Sequence, residues 1–334
     1  MPRRTIITTP IFTLITALLA FFSPVAPATM QSSLEFAQVK LTAADPAPYD
    51  YFGLSVAISG DTAIIGAYGK SDQSSVAGAA YVFSESNAQW VQQARLGIAE
   101  AASGAYFGLA VATNGTLAAI GAPYASVGAS DAGAVYLYAN NSPSWSFVAE
   151  ISPDDPESLA QFGAALAIDQ HTIIIGAPDN DEFGVDAGAV YVFEFDGATW
   201  IQRQKLTAND TLAGDPFGAT VAIDNGRLIV GAPNHDTAAV DAGAVYVFGS
   251  IGGSWVQQQK LIGSDTRSSD RFGSAVSLND TWLVIGAPLH NATGNASGAV
   301  YAFEHDGAAW TERQKLITAN TVSGDRFGSS LALG

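Results

Sequence analysis

Oxygen-bearing side chains cluster in this chain in a way that could hold a cation. Asp179, Asn180, Asp181 and Asp186 place four such groups within eight residues. Hard oxygen donors suit Ca²⁺, which makes calcium the one cofactor the residues suggest. The competing reading is a polar turn in which Asp and Asn side chains bond their own backbone. A second acidic set consists of Asp45, Asp50, Asp154, Asp155, Asp210, Asp215, Asp265, Asp270 and Asp325, with Asp241 in a loop equivalent to that of Asp186. Of these, Asp210, Asp215, Asp265, Asp270 and Asp241 are the candidate ligand-binding residues. They would meet a ligand through cations or through basic groups on a partner. The bland alternative is that the acids only keep the protein in solution.

Catalytic patterns are absent. The histidines are His171, His235, His290 and His305. His235 and His290 are one repeat apart and read as surface histidines of equivalent loops. There is no cysteine, nucleophile elbow, phosphate-binding glycine loop or zinc-binding His pair. The acids repeat along the chain, whereas a catalytic pair would break its symmetry. The expectation is a protein that is not an enzyme.

The elements that position these residues follow one ruler. Phe52-Gly53, Phe107-Gly108, Phe162-Gly163, Phe217-Gly218, Phe272-Gly273 and Phe327-Gly328 recur at one fixed interval. So do Gly66-Ala67-Tyr68, Gly121-Ala122-Pro123, Gly176-Ala177-Pro178, Gly231-Ala232-Pro233 and Gly286-Ala287-Pro288, and Trp90, Trp145, Trp200, Trp255 and Trp310. A long fixed period means one supersecondary unit copied and stacked.

Residues 162–206 serve as the type copy. An apolar run from Phe162 to Ile168 is followed by a turn at Asp169-Gln170-His171. Thr172 to Ile175 is β-branched and continuously apolar, as in a strand covered on both faces. Pro178 ends it. A polar loop leads to a third strand from Gly188 to Phe193. Asp196-Gly197 marks a hairpin, and a polar fourth strand runs from Trp200 to Leu206. Polarity rises toward the fourth strand, so the first should lie at an axis and the fourth at a rim, where Lys, Arg and Gln discourage edge pairing. Phe of Phe-Gly reads as a wedge between units, and Ala of Gly-Ala-Pro as a small residue where strands crowd. Four short strands per repeat predict an all-β fold: a β-propeller of four-stranded antiparallel blades, five complete 55-residue repeats plus partial flanking strands. The partial strands are Phe36–Leu41, read as a fourth strand, and residues 327–333, read as a first.

These motifs resemble the FG-GAP repeats of the integrin α-chain propeller, most closely the bacterial variant. The resemblance covers residues 36–334. It implies a β-propeller with an extracellular binding or adhesion role. Integrin metal sites lie between Phe-Gly and Gly-Ala-Pro; here that interval holds only short turns, so those sites do not carry over.

The division expected is a signal peptide over residues 1–28 and a propeller over 29–334, incomplete at its C-terminus. Arg3 and Arg4 precede an apolar run from Ile11 to Phe22, and Ala26-Pro27-Ala28 offers small residues for cleavage. The net charge is −17, and −19 once those two arginines are removed. Nucleic acid is thereby a poor partner, and no membrane insertion is expected after cleavage. The leading function is a secreted or cell-surface module that recognises an extracellular protein, glycan or matrix ligand through long acidic loops. The alternatives are an extracellular enzyme acting on polysaccharide on a propeller scaffold, and a structural spacer of a larger surface protein.

Overall fold

Five sheets, each of four antiparallel strands in chain order, hold all the strands among the described residues. The computed structural model describes residues 39–71, 77–98, 104–142, 144–236 and 239–334. The signal-peptide expectation lies outside them. Blade 1 contains β1 (Val56–Ser59), β2 (Thr62–Ala67), β3 (Ala79–Ser86) and β4 (Gln89–Leu96). Blade 2 contains β5 (Val111–Thr113), β6 (Leu117–Ala122), β7 (Ala134–Asn140) and β8 (Trp145–Ile151). Blade 3 contains β9 (Ala165–Asp169), β10 (Thr172–Ala177), β11 (Ala189–Phe195) and β12 (Trp200–Leu206). Blade 4 contains β13 (Thr220–Asp224), β14 (Arg227–Ala232), β15 (Ala244–Ile251) and β16 (Ser254–Leu261). Blade 5 contains β17 (Ala275–Leu278), β18 (Trp282–Ala287), β19 (Ala299–His305) and β20 (Trp310–Leu316). The first strands β1, β5, β9, β13 and β17 lie successively against one another, so the predicted propeller-like arrangement, with first strands innermost, is what forms.

The burial gradient differs from the one expected. The second and third strands are the buried ones, while β13 and β17 are only half-buried along their whole length. An innermost strand has a neighbour on one edge only, and part of it faces the axis. The fully covered strands are those sandwiched between blades, such as Ile173–Ile175 and Val190–Val192. In every blade the third and fourth strands slip register once, between Val192 and Phe193 in blade 3. Such a bulge increases local twist.

Phe162 is the wedge the spacing predicts. It is fully buried and packs edge-on to Tyr191 and Phe193 of its own blade, at 5.2 and 6.0 Å. It shares a cluster with Val135 and Leu137 of blade 2. Burying such a ring stabilises by about 1.5–3 kcal/mol. Gly163, at φ 94°, sits in a backbone region that only glycine enters freely. In the second motif the alanine is fully buried, at Ala67, Ala122, Ala177, Ala232 and Ala287, and the glycine beside it is tighter still. A Cβ on Gly176 would lie 2.1 Å from the Gly218 carbonyl oxygen of the next blade. Main-chain bonds cross each joint alongside: Phe107, Phe162, Phe217, Phe272 and Phe327 donate to the carbonyls of Ala77, Ala132, Ala187, Ala242 and Ser297.

The flanking segments are not strands where they are described. Residues 39–41 form none, and the rest of Phe36–Leu41 lies outside the described residues. Leu41 packs on Ile65, Tyr81 and Phe83 of blade 1. In residues 327–333 only Phe327 makes a bridge, to Gly298. No second strand stands beside this segment among the described residues, so it has no ladder to join. Leu331 and Leu333 instead cover Val284, Val300 and Ala302.

Gly176→Ala is expected to cost about 3 kcal/mol or more, because a backbone carbonyl must move. Gly197→Ala, with positive φ but open space around it, should cost about 1 kcal/mol. Urea unfolding of the two variants against the parent checks this; equal losses would refute the role of the glycine seam.

Candidate functional site

The loops divide unequally between the two ends of the blades. The turns between first and second strands, and between third and fourth, are short. The connections between second and third strands, and from each fourth strand to the next first, are long and emerge at the opposite end. The two kinds of long loop are joined across blades. Leu159, Gly214, Ser269 and Gly324 donate to the carbonyls of Ser130, Val185, Val240 and Asn295 in the preceding second-to-third loop.

A polar latch recurs beneath the loops of blades 1, 4 and 5; in blade 2 the equivalent positions are Ala105 and Ala125. In blade 5, Asp270 accepts the Arg267 amide at 2.6 Å and meets Nδ1 of His290 at 2.7 Å; both Asp270 and His290 are 2% exposed. Half-exposed Asp265 accepts Tyr301 Oη at 2.7 Å and Lys315 Nζ at 2.6 Å. Blade 4 repeats this. Asp215 accepts the Leu212 amide at 2.6 Å beside buried His235, and Asp210 accepts Tyr246 Oη at 2.9 Å and Lys260 Nζ at 2.6 Å. In blade 1 the histidine position is Lys70, 3.1 Å from Asp50, with Asp45 bound by Tyr81. His235 and His290 are thus not the surface residues expected. The aspartate that needs each of them lies two strands earlier in the chain, and the fold buries the pair together.

The titration of these acids follows from their partners. Burial opposes ionisation of Asp265, yet hydrogen bonds from Lys315 and Tyr301 outweigh it and hold its pKa below the ordinary value. The same holds for Asp210 with Lys260 and Tyr246. Burial pushes Asp215 up instead. Tyr246 and Tyr301 are raised by burial and by their aspartate partners, so they remain neutral donors.

The segment Asp179–Asp186 is built as a capped loop. Oδ1 of Asp181 accepts the amide of Asp186 at 2.7 Å, and Asp186 is left-handed at φ 52°. Asp236 does the same for Asp241, and Asn291 for Ala296, each at 2.7 Å. Asp tolerates this backbone better than most residues, which accounts for Asp186 and Asp241. Asp179 accepts from Gln161 Nε2, and buried Asn180 donates to Glu157. Among the described residues no three His, Cys, Asp or Glu side chains are grouped as a metal ion would require.

The sequence reading passed over two features of this face. The first is apolar: Tyr49, Leu159, Val185, Leu212, Val240 and Val322 stand exposed on the long loops, Tyr49 at 81% and Leu212 at 63%. The second is a row of tyrosines at its inner edge. Tyr51 stacks on Tyr68 at 5.0 Å and 7°, Tyr68 meets Tyr106 edge-on at 5.5 Å, and Tyr106 meets Tyr124 at 5.1 Å. The signal was available, since Tyr68 stands where four other repeats carry Pro.

The family described as FG-GAP repeat matches residues 36–83, 90–138, 145–193, 200–248 and 255–303. No curated protein matches the chain. No helix among the described residues is long and apolar enough to cross a membrane.

Three outcomes test this description. The lowered pKa values of Asp45, Asp210 and Asp265 mean that their contribution is complete above the unfolded value of about 3.9. It is lost as pH falls through the lower folded values. The stability these three acids contribute should therefore persist down to about pH 4 and fall below it, which urea unfolding of Asp265→Asn against the parent across that range checks. Asp270→Ala, which strands a buried histidine, should cost about 3 kcal/mol at pH 7. Separately, Asp181→Ala should cost about 1 kcal/mol through the lost cap. That loss should be the same in millimolar calcium and in chelator; a calcium-dependent difference in melting temperature would make the segment a metal site instead.

Proposed function

The chain belongs to the FG-GAP repeat family, and from that premise we propose that it is a secreted or cell-surface binding module, without enzymatic activity, whose long-loop face recognises an extracellular ligand. One observation carries this reading: the long loops are cross-linked to one another yet present large apolar side chains to solvent. In blades 1, 4 and 5 buried latches hold the loops from beneath, which leaves less conformational entropy to lose on binding. Exposed apolar residues amid acidic ones are the make-up of a recognition surface. The opposite end has only tight hairpins.

The candidate acids divide by role. Asp215 and Asp270 are buried, and they shape the loops from below. Asp210 and Asp265 keep half their surface but are already held by lysine and tyrosine. Contact with a ligand then falls to the loop tips, with the acids setting the sign of the field around them.

Attachment of the purified protein to surfaces coated with extracellular matrix tests the reading. Leu212→Glu combined with Val240→Glu should reduce attachment at least about tenfold, a loss of some 1.4 kcal/mol. Ile251→Glu, equally exposed but on an opposite-end hairpin, should leave it unchanged. Loss in the hairpin variant with retention in the loop variant would place recognition on the other end.

A further inference from the structure

The repeat fixes the backbone at the inner edge of the long-loop face, while its side chains vary from blade to blade. The residue before Phe-Gly is left-handed in five repeats: Tyr51, Tyr106, Gln161, Arg271 and Arg326, with φ from 53° to 56°. A side chain in that region costs about 1 kcal/mol relative to glycine, and each of the five carries one. The direction of these side chains is thus set by the fold, and their chemistry by the individual repeat.

In the first three blades that chemistry forms one strip. Two separate departures from the repeat make it. Tyr replaces Pro at 68, and Gly69 replaces the larger residues found at its equivalents, Tyr124, Asp179, Asn234 and Leu289. A Cβ at 69 would lie 2.1 Å from the Tyr49 carbonyl oxygen and 2.7 Å from the Tyr51 ring, so glycine lets this segment and its ring pack against residues 68–69. The strip continues into blade 3, where Gln161 and Asp179 take the positions of Tyr106 and Tyr124 and bond each other. In blades 4 and 5 the same positions hold Pro216, Asn234, Arg271 and Leu289, and the aromatic character ends.

We propose that Tyr51, Tyr68, Tyr106 and Tyr124, with Gln161 and Asp179 at one end, bind a neutral oligosaccharide. This rests on the reading that the long-loop face is the recognition face. Pyranose rings carry an apolar C–H face and a rim of hydroxyls. Tyrosines offer the matching surface: ring faces and edges for the C–H groups, and phenols that donate and accept. Burial and neighbouring tyrosines raise the Tyr68 pKa, and burial with nearby acids raises that of Tyr124, so both stay protonated. Gln161 and Asp179 add a donor and an acceptor where the rings stop. An anionic ligand is disfavoured by the net charge of −17. A basic side chain would want an open aromatic cage. Here the rings touch in series at 5.0–5.5 Å and leave no central space. A continuous strip suits a ligand that is itself a chain of rings.

Calorimetric titration with cellohexaose, laminarihexaose, mannohexaose and chitohexaose tests the proposal, with hexalysine as the comparator. At least one sugar should bind. Tyr51→Ala and Tyr68→Pro should each weaken it about tenfold or more. Tyr68→Pro installs the residue the other repeats already use at that place, so it leaves the fold intact; matching thermal unfolding curves verify this. Phe147→Ala, an exposed aromatic on the rim strand β8, should leave sugar binding unchanged. Failure of all four sugars overturns the proposal, as does sugar binding that survives both tyrosine changes. Binding of hexalysine that both changes abolish, without sugar binding, would assign the strip to basic peptides and equally overturn it. The two readings fail separately. If Leu212→Glu with Val240→Glu abolishes matrix attachment while no sugar binds, the face stands and the tyrosine strip falls. If instead sugar binding is lost only in the Phe147 variant, the face itself is wrong.

Discussion

Each blade meets the next at a seam where two glycines leave no room for a side chain. The Gly218 carbonyl rests against Gly176 of the preceding blade, and the Phe217 amide bonds the Ala187 carbonyl beside it. Both contacts are made by main chain, so their geometry is the same at every joint whatever the neighbouring side chains are. That sameness explains how a chain can repeat at one unvarying interval, without insertion. The seam sets the separation of the blades, the separation sets how the wedge phenylalanines fill the gap, and the loops above inherit both.

The polar chemistry follows from that spacing. Once the blades are placed, the loop from one fourth strand must cross to the next first strand over the ends of the second and third. The aspartate–tyrosine–lysine latch ties it down, and buried Asp270 and His290 complete the tie in blade 5. Burying such groups is costly unless each is paired, and here each charge has its partner. The result is a loop face that is irregular in sequence but tied to the strands below it at each latch.

Strand order and blade form were legible in the sequence because both are periodic. Thr172 to Ile175 reads as a covered strand, and it is one. The innermost strands misled, because Val221 and Val276 are apolar yet only half-covered; pattern records hydrophobicity, not the number of neighbours. The latch histidines misled for a different reason. His290 stands in a polar loop, and nothing local announces a buried partner on the far side of two strands. Asp186 and Asp241 looked like ligands because acidic type carries no sign of backbone conformation. The tyrosine row escaped a reading built on repetition because it exists only where the repetition fails.

The outer strands hold one more tie, with a mechanical meaning. The Gln204 side-chain amide bonds both the amide and the carbonyl of Trp255 in the next blade, and Gln259 does the same with Trp310. The corresponding residues of blades 1 and 2 are Ala94 and Ala149, which have no amide to offer. A joint pinned at two radii resists torque, whereas one pinned near the hub can swing. Blades 3 to 5 therefore behave as a stiff sector, and compliance is concentrated in the two joints before it, the first of which the tyrosines span.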